Sequence, residues 1–380
     1  MGLKNEAQTA FQNTKSVYKE YVSGMTPERI GKEFYKDTDR LKQLYEEAIQ
    51  QDSQFEKKEI PAHLKFLKLF SALTQRLNPT RRLLFGLSII AFLIYYLSSF
   101  FGIINFVLFH EILLPFAFSS MLMLLLVELL EKSDVKREID LAREIQLGLL
   151  PATAYKSENL EIFSFANTAK EVGGDYVDVI KTNEGTYMII ADVSGKGLSA
   201  ALYMVRMQAL VHLIIEKDNP SPKELFLELN NYVKSDIKDK TFVTACAAFF
   251  PKDSQHFTFA RAGHNAPILF SKKQDATFDL RSDGFALGMT STNHLKAHLQ
   301  EKKFQFVAGD SVLFYTDGLT EARNDNGEEF GEERLDAIMN IYGSLHAKSI
   351  VQKIQSSLEN FIGSEKPADD ITFTCVHHSN

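Results

Sequence analysis

The stretch IIADVSGKGLSAAL, residues 189–202, predicts how the second half of this chain folds. Its apolar start is typical of a buried strand, and Leu198–Glu216 has the pattern of a helix, so a glycine-rich turn joins the two. Asp192 ends the strand, where a buried carboxylate costs free energy unless it is paired or binds a metal. Taken alone, Asp192 could instead cap the helix that follows. The turn lacks the G-x-x-x-x-G-K-[ST] spacing, which excludes a P-loop.

Three further acidic sites share this pattern of a carboxylate at a turn beside an apolar strand. They are Asp175 in VGGDYVD, Asp317 in VLFYTDGLTEA and the pair Asp369 and Asp370 in ADDITFTCV. All-oxygen ligation favours hard cations such as Mg²⁺ or Mn²⁺ over zinc. Four carboxylates would balance two dications, so the pattern predicts a site for two divalent cations. Turn glycines such as Gly174 would let backbone carbonyls approach an ion.

Short β-rich runs separated by turns begin near residue 157. Runs of strands with helices grouped between them favour an α+β fold with antiparallel sheets over an alternating Rossmann type. The predicted strands are Leu160–Ala166, Asp175–Lys181, Thr186–Asp192, Thr241–Phe250, His256–Arg261, Ala266–Phe270, Lys303–Val307, Ser311–Tyr315 and Ile371–His377. The predicted helices are Leu198–Glu216, Pro222–Ile237, Glu332–Tyr342 and Ala347–Phe361.

Composition limits the class of protein. The chain has 380 residues, 45% of them hydrophobic and 24% charged, which is typical of globular proteins with room for two or three domains. The net charge of −7 argues against nucleic-acid partners, because phosphate contacts need a basic face. The two cysteines, Cys246 and Cys375, exclude a disulfide framework and a thiolate zinc site, and they suit a reducing compartment.

An apolar block at 83–130 predicts a transmembrane helical hairpin. Residues 83–110 and 112–127 carry no Asp, Glu, Lys or Arg, and one membrane helix needs about 20 apolar residues. The predicted spans are 83–101 and 112–130, joined by a turn at 102–111, with Pro115 in the first turn of the second span. Basic residues flank both ends, which places both termini in the cytoplasm. A buried helical hairpin in a soluble domain is the alternative.

The regions on either side of the hairpin are predicted to be helical. Residues 1–82 carry a net charge of +4, which would suit an anionic membrane surface or simply a solvated helical surface. Residues 131–151 predict a linker helix that ends at Pro151. Its apolar seam, spaced 4, 3, 4 and 3, consists of Val135, Ile139, Ala142, Gln146 and Leu149. This seam predicts either a homodimeric coiled coil or a helix packed on its own domain. The domain itself is predicted at 152–380.

The region from about 138 to 377 resembles the SpoIIE/RsbU-type phosphatases, a bacterial branch of the metal-dependent type 2C protein phosphatase superfamily. The matching motifs, in order, are AREIQLGLLP (142–151), VGGDYVD (172–178), ADVSGKGLSAAL (191–202), ARAGHNAPILF (260–270), FYTDGLTEARN (314–324), FGEERL (330–335) and ADDITF (368–373). The resemblance implies an α-β-β-α sandwich of two antiparallel sheets flanked by helices.

The resemblance also implies roles for the acidic residues. Asp192 would bridge two metals, and the Val193 carbonyl would contact one of them. Asp317 and Asp369 would ligate the second metal, and Asp175 would bind directly or through water. Asp192 and Asp317 are therefore the predicted catalytic positions.

Four other positions have open roles. Asp370 is predicted to support the site, and Lys196 either helps to hold phosphate or is solvated. Ser194 stands in the region where eukaryotic relatives carry a His that can act as a general acid. The acid that protonates the leaving group is therefore unassigned. His264 is predicted to form a structural turn near the site rather than a metal ligand.

The implied function is a membrane-anchored protein serine/threonine phosphatase that faces the cytoplasm. Two cations would activate a water for in-line attack on phosphoserine or phosphothreonine, without a phosphoenzyme. The substrate would be a signalling protein such as a STAS-type anti-sigma-factor antagonist, and the linker helix would control the site. The alternatives are a catalytically silent signalling scaffold and a small-molecule phosphoesterase on the same fold.

Overall fold

The computed structural model describes residues 74, 77–100, 107–151, 153–157, 159–236, 241–252, 254–363 and 367–379. The chain divides into two compact units, Met1–Lys132 and Ser133–Asn380. The predicted helical region 1–82 lies almost entirely outside the described residues, so it stays a prediction.

Two antiparallel helices form the described part of the first unit. They are α1 (Pro79–Phe100) and α2 (Val107–Leu149), of which α2 continues beyond this unit. The hydroxyls of Ser88 and Ser120 lie 2.6 Å apart between the two helices. Near the start of α1, Arg81 forms an ion pair with Glu131 of α2. The two contacts lie in opposite order along the two helices, as a hairpin requires.

Large apolar side chains cover the outer surface of this hairpin. Leu83 is 65% exposed and Phe118 is 68% exposed. By length and composition, three helices among the described residues could cross a membrane: α1, Glu111–Leu149 and a third, Leu198–Asp218. The third packs on a β-sheet of the second unit, so its apolar residues have a partner within the protein.

The second helix begins earlier than the sequence predicted. Because α2 starts at Val107, Pro115 lies inside the helix and not in its first turn. Residues 107–110, directly before Glu111, contain no glycine or proline, so the helix can begin earlier than predicted. The Ser119 hydroxyl donates to the Pro115 carbonyl at 2.7 Å.

The second unit contains two antiparallel sheets, which confirms the predicted α+β fold. One sheet has the spatial order β1 (Ala154–Lys156), β2 (Leu160–Asn167), β11 (Ile371–His378), β10 (Ser311–Tyr315), β7 (Ile268–Ser271) and β8 (Ala276–Asp279). The other has the order β3 (Asp175–Lys181), β4 (Gly185–Val193), β5 (Val243–Pro251), β6 (His256–Ala262) and β9 (Glu301–Gln305). The helices are α3 (Leu198–Asp218), α4 (Pro222–Asp236), α5 (Thr292–His298), α6 (Asp317–Thr320), α7 (Gly331–Tyr342) and α8 (Ala347–Ile362).

Three apolar layers hold this sandwich together. The middle layer lies between the sheets, one outer layer joins β3, β4 and β5 to α3 and α4, and the other joins β7, β10 and β11 to α7 and α8. Strand β4 serves two layers at once: Met188 and Ile190 enter the middle layer, and Tyr187 and Ile189 pack under the helices. Burial on both faces explains why β4 is a continuous apolar run without polar alternation.

Most predicted elements are present within two residues of their predicted ends. Strand β9 is two residues earlier than predicted, and the sequence analysis missed β1, β8, α5 and α6. The two missed strands are edge strands of three and four residues, too short to show a period. Strand β9 is an edge strand with an exposed pattern, so burial does not mark its ends.

Packing in the middle layer predicts a large cost for truncating Phe314. This side chain is fully buried between the sheets on β10, so we expect Phe314→Ala to lower the free energy of unfolding by about 3–5 kcal/mol. Phe278 on β8 is 42% exposed, so Phe278→Ala should cost less than about 1 kcal/mol. Guanidinium unfolding of the full chain, followed by tyrosine fluorescence because Trp is absent, would measure both. Equal losses would contradict this account of the core.

Candidate active site

The middle layer ends in carboxylates at one edge of the sandwich. Side chains on a strand alternate between faces, so Asp192 follows Met188 and Ile190 on the inner face of β4. Asp175, the first residue of β3, is its register partner on the neighbouring strand. The opposite sheet also reaches this point, because the Thr316 hydroxyl donates to Asp175 Oδ2 at 2.9 Å.

Burial and mutual repulsion raise the pKa values of these two carboxylates. The pKa of Asp175 lies well above its ordinary value, first because the group is buried and then because Asp192 is close. The pKa of Asp192 is raised to about 7 by burial, followed by repulsion from Asp317 and Asp369. Asp192 lies on a strand, and α3 is capped at Gly197, so the alternative role of Asp192 as a helix cap is wrong.

The other sheet brings Asp317 and Asp369 to the same edge. Asp317 opens α6 directly after β10, and Asp369 precedes β11, which pairs antiparallel with β10. Burial, followed by repulsion from Asp369, raises the pKa of Asp317. All four predicted carboxylates therefore meet where the two sheets end, although they are far apart in sequence.

Lys196 lies within this acidic cluster. Its ammonium is 2.6 Å from Asp369 Oδ2 and donates to the Ala368 carbonyl at 3.1 Å. The hydrogen bond to Asp369 raises the pKa of Lys196. Lys196 is thus ion-paired in this structure, with its side chain half exposed to solvent.

Asp370 holds the loop that precedes β3. One carboxylate oxygen accepts from the backbone N–H of Ala169 at 2.8 Å, and the other accepts from Gly174 at 2.7 Å. Both oxygens are therefore engaged by the loop that leads into Asp175. A side chain at Gly318 would not fit here, because its Cβ would lie 2.0 Å from the Asp370 carbonyl oxygen.

Gly174 and Val193 lie side by side at the ends of β3 and β4. The Val193 N–H donates to the Gly174 carbonyl at 3.4 Å. A Cβ on Gly174 would lie 3.0 Å from the Val193 carbonyl oxygen and 3.5 Å from Asp192 Oδ1. Glycine at position 174 leaves this space open. The Val193 carbonyl, which was predicted to contact a metal, therefore stays accessible.

Gln146 connects the linker helix to the same loop, a role that sequence reasoning missed. Its amide donates to the Gly173 carbonyl at 2.7 Å and accepts from the Gly173 N–H at 3.1 Å. Gln146 is buried on its own domain, so it does not form part of a dimer seam as a free coiled coil would require. The sequence does contain a signal for this role, because Gln146 is the polar residue in an otherwise apolar seam.

Two polar residues near the edge are already engaged by the protein. The Ser194 hydroxyl accepts from the Phe242 N–H at 2.8 Å, so it closes a turn. His264 is buried, and its Nδ1 lies 2.9 Å from the Thr244 hydroxyl, in agreement with the predicted structural turn. Burial lowers the pKa of His264 to about 4. Neither residue supplies a free acid, so the acid for the leaving group stays unassigned.

The donor chemistry of this edge fits divalent cations of the Mg²⁺ or Mn²⁺ type. The groups present are carboxylates and one backbone carbonyl, and the raised pKa of Asp192 reflects negative charge that a cation would relieve. Among the described residues, no three acidic, His or Cys side chains form a ready-made ligand group. Cys246 and Cys375 are buried on strands, as predicted, and are not part of the site.

The two stacked sheets with a carboxylate-lined edge place this domain among the type 2C protein phosphatase folds. The chain belongs to the stage II sporulation protein E (SpoIIE) family, whose model matches residues 182–379. Among curated proteins, it is 30% identical over 229 residues to "Phosphoserine phosphatase RsbU" of Bacillus subtilis, covering 56% of this chain and 66% of that protein. It is 24% identical to "Protein IcfG" of Synechocystis, covering 65% of this chain and 43% of that protein. The chain thus spans less than two thirds of either relative.

Solved structures agree on the fold. The SiaA-PP2C domain of Pseudomonas aeruginosa matches with a TM-score of 0.57 and 19% identity, covering 66% of this chain and 99% of that domain. The phosphatase domain of SpoIIE from Bacillus subtilis, with a fragment of its regulatory domain, matches with a TM-score of 0.51 and 16% identity, covering 59% of this chain and 64% of that one.

Repulsion at this edge predicts a stability cost without metal. The folded-state pKa of Asp192, about 7, exceeds its ordinary value of 3.8, so the folded protein binds more protons between pH 4 and 7. Stability therefore falls as pH rises through that window. We expect metal-free Asp192→Asn to be more stable than wild type at pH 8, by on the order of 1 kcal/mol, with the difference closing toward pH 4.

Thermal unfolding of the full chain in EDTA at several pH values would test this expectation. Asp336→Asn, at an exposed position on α7, is the control and should follow wild type at every pH. A metal-free Asp192→Asn protein that is less stable than wild type at pH 8 would contradict the electrostatic account.

Proposed function

We propose that this protein is a metal-dependent protein serine/threonine phosphatase. The observation that carries the proposal is the meeting of Asp175, Asp192, Asp317 and Asp369 at one edge of a SpoIIE-family domain. The name of the related phosphoserine phosphatase supports the same activity.

Two divalent cations bound here, Mn²⁺ or Mg²⁺, would supply a water of lowered pKa and would neutralise charge on the phosphoryl oxygens. Asp192, Asp317, Asp369 and the Val193 carbonyl would hold these cations, and Asp175 would bind directly or through water. The protein holds these groups on two sheets, so their spacing is built before substrate binds. Cys246 and Cys375 are buried with raised pKa values, so neither supplies a nucleophile.

Lys196 has a defined place in this scheme. Its ammonium forms an ion pair with Asp369 at the rim of the cluster. Once a cation replaces the ammonium beside Asp369, the Lys196 side chain could turn toward a phosphate. The open, half-exposed position of Lys196 suits contact with a phosphorylated side chain on another protein.

The proposed substrate is phosphoserine or phosphothreonine on a signalling protein, such as a STAS-type anti-sigma-factor antagonist. The proposed location is the cytoplasmic membrane, with α1 and the apolar part of α2 as two spans and both termini in the cytoplasm. The exposed apolar surface of the hairpin and the basic residues that flank it support this location. A silent scaffold and a small-molecule phosphoesterase are the competing functions.

We expect activity to require Mn²⁺ and the predicted ligands. Purified full-length protein in detergent should release phosphate from a phosphoserine protein only with Mn²⁺ or Mg²⁺, and Asp192→Asn or Asp317→Asn should lower kcat at least about 100-fold. Asp336→Asn should keep wild-type activity. A protein that binds no Mn²⁺ by calorimetry would support the scaffold, and faster turnover of nucleotides than of phosphoprotein would support the small-molecule enzyme.

The linker helix is proposed to regulate this site through Gln146. Helix α2 is continuous from Val107 to Leu149, and Gln146 holds the Gly173 backbone by two hydrogen bonds. Asp370 holds the next residue, Gly174, from the other sheet. Movement of the helix would therefore shift the loop that positions Asp175.

We expect Gln146→Ala to lower kcat about tenfold, because two buried backbone groups lose their partner. Glu144→Ala, exposed on the same helix, is the matched control and should have no effect. Phosphate release by the full-length protein would measure both variants. Ile139→Asp with Ala142→Asp would test the predicted homodimeric coiled coil: unchanged sedimentation and unchanged activity would contradict that alternative.

A further inference from the structure

We infer that His264 is a positioning residue for the metal site: its hydrogen bond to Thr244 holds in place the strand pair that carries Asp192. The inference rests on the proposed function, because it concerns the same site. His264 lies in the crossover from β6 of one sheet to β7 of the other. Its ring is almost fully buried, with 3% of the residue exposed.

One side of the ring faces the sheet that carries Asp192. Nδ1 lies 2.9 Å from the Thr244 hydroxyl on β5. Thr244 is the register partner of Asp192 on β4, and residues paired in this way project from the same face of a sheet. The imidazole is therefore hydrogen-bonded to the side chain that lies next to Asp192.

The other ring nitrogen, Nε2, has no hydrogen-bond partner among the described residues. A neutral ring with its proton on Nε2 leaves Nδ1 free to accept from the Thr244 hydroxyl. The hydrogen bond to Thr244 is therefore the contact through which the ring acts on the site.

The backbone around His264 is held firmly. The Arg261 guanidinium donates to the His264 carbonyl at 2.5 Å and to the Ser282 carbonyl at 2.6 Å. Gly263, in the left-handed region at a φ of 72°, bridges to Ala245 on β5. A Cβ on Gly263 would lie 2.8 Å from the Ala286 backbone nitrogen. This anchoring fixes the ring that holds Thr244 next to Asp192.

His377 provides a matched control elsewhere in the sandwich. It is also buried, at 5% exposure, and its Nδ1 also lies 2.9 Å from a hydroxyl, that of Ser311. His377 sits near the end of β11 that is remote from Asp369 and Asp370. The same substitution at the two histidines therefore removes similar packing, but of the two only His264 contacts the register partner of Asp192.

The test compares full-length wild type, His264→Gln, Thr244→Val and His377→Gln. Three quantities are measured for each protein: the Kd for Mn²⁺ by calorimetry, kcat and KM with a phosphoserine protein, and the melting temperature in EDTA. Thr244→Val preserves shape and removes only the hydroxyl, so it decides the question if His264→Gln does not fold. Asp192→Asn serves as the reference for a lost metal ligand.

We expect His264→Gln and Thr244→Val to weaken Mn²⁺ binding and to lower kcat, each about tenfold, with KM changed less than twofold. His377→Gln should lower the melting temperature and keep wild-type Mn²⁺ affinity. Wild-type Mn²⁺ affinity and kcat in Thr244→Val and in folded His264→Gln would overturn the inference, and so would an equal loss in His377→Gln.

The readouts also separate this inference from the proposed function. A wild-type protein that binds Mn²⁺ but releases no phosphate would overturn the phosphatase proposal, while the Mn²⁺ affinities of the variants would still decide the role of His264. A wild-type protein that binds no Mn²⁺ would overturn both.

Discussion

Repulsion among carboxylates at one edge of a close-packed sandwich is the constraint on which the rest of this domain depends. Burial disfavours the charged form of each group, and each neighbouring carboxylate adds to the cost. Burial first and then the neighbouring carboxylates raise the pKa of Asp192 to about 7 and raise the pKa of Asp175 as well. Protons, a lysine or metal ions can relieve this repulsion. In this structure Lys196 pairs with Asp369, and Thr316 donates to Asp175, so the protein already offers partial compensation.

The apolar layer between the sheets makes this repulsion sustainable. Fully buried residues such as Met188, Phe257 and Phe314 hold the strands at fixed separation, and Asp192 occupies the last inward position of β4. Asp192 is thus an extension of the core, two residues beyond the buried Ile190 on the same face of the strand. Asp317 and Asp369 lie just outside the ends of β10 and β11, which pair with each other.

The loop before Asp175 is the exception, since it is held by side chains from elsewhere. Gln146 binds the backbone of Gly173, and Asp370 binds the backbone of Gly174. Two neighbouring glycines therefore receive one contact from the linker helix and one from the opposite sheet. This arrangement explains why a supporting acidic residue and a polar residue in an apolar helix belong to the same site.

Much of the fold could be read from the sequence because most of its strands are long apolar runs bounded by glycine or acidic turns. Edge elements such as β1, β8 and β9 were missed or misplaced, since partial exposure leaves neither a period nor an apolar run. Gln146 was predicted to lie on a seam that faces either a second copy of the chain or its own domain. Spacing shows which residues share a helix face, but it does not show what covers that face.

The sequence by itself predicted which residues would carry the chemistry. Strand runs and turns predicted an α+β fold with antiparallel sheets, carboxylates at strand ends predicted an oxygen-ligand site, and the resemblance of the ordered motifs to a known family implied two stacked sheets. These predictions were possible because the burial of a strand and the conformation of a turn depend on neighbouring residues. Only the tertiary structure decided how these residues interact. The ion pair of Lys196, the loop-holding role of Asp370 and the contact of His264 with Thr244 join segments from 20 to more than 170 positions apart. Such contacts arise from the pairing and stacking of strands, which no single stretch of sequence contains.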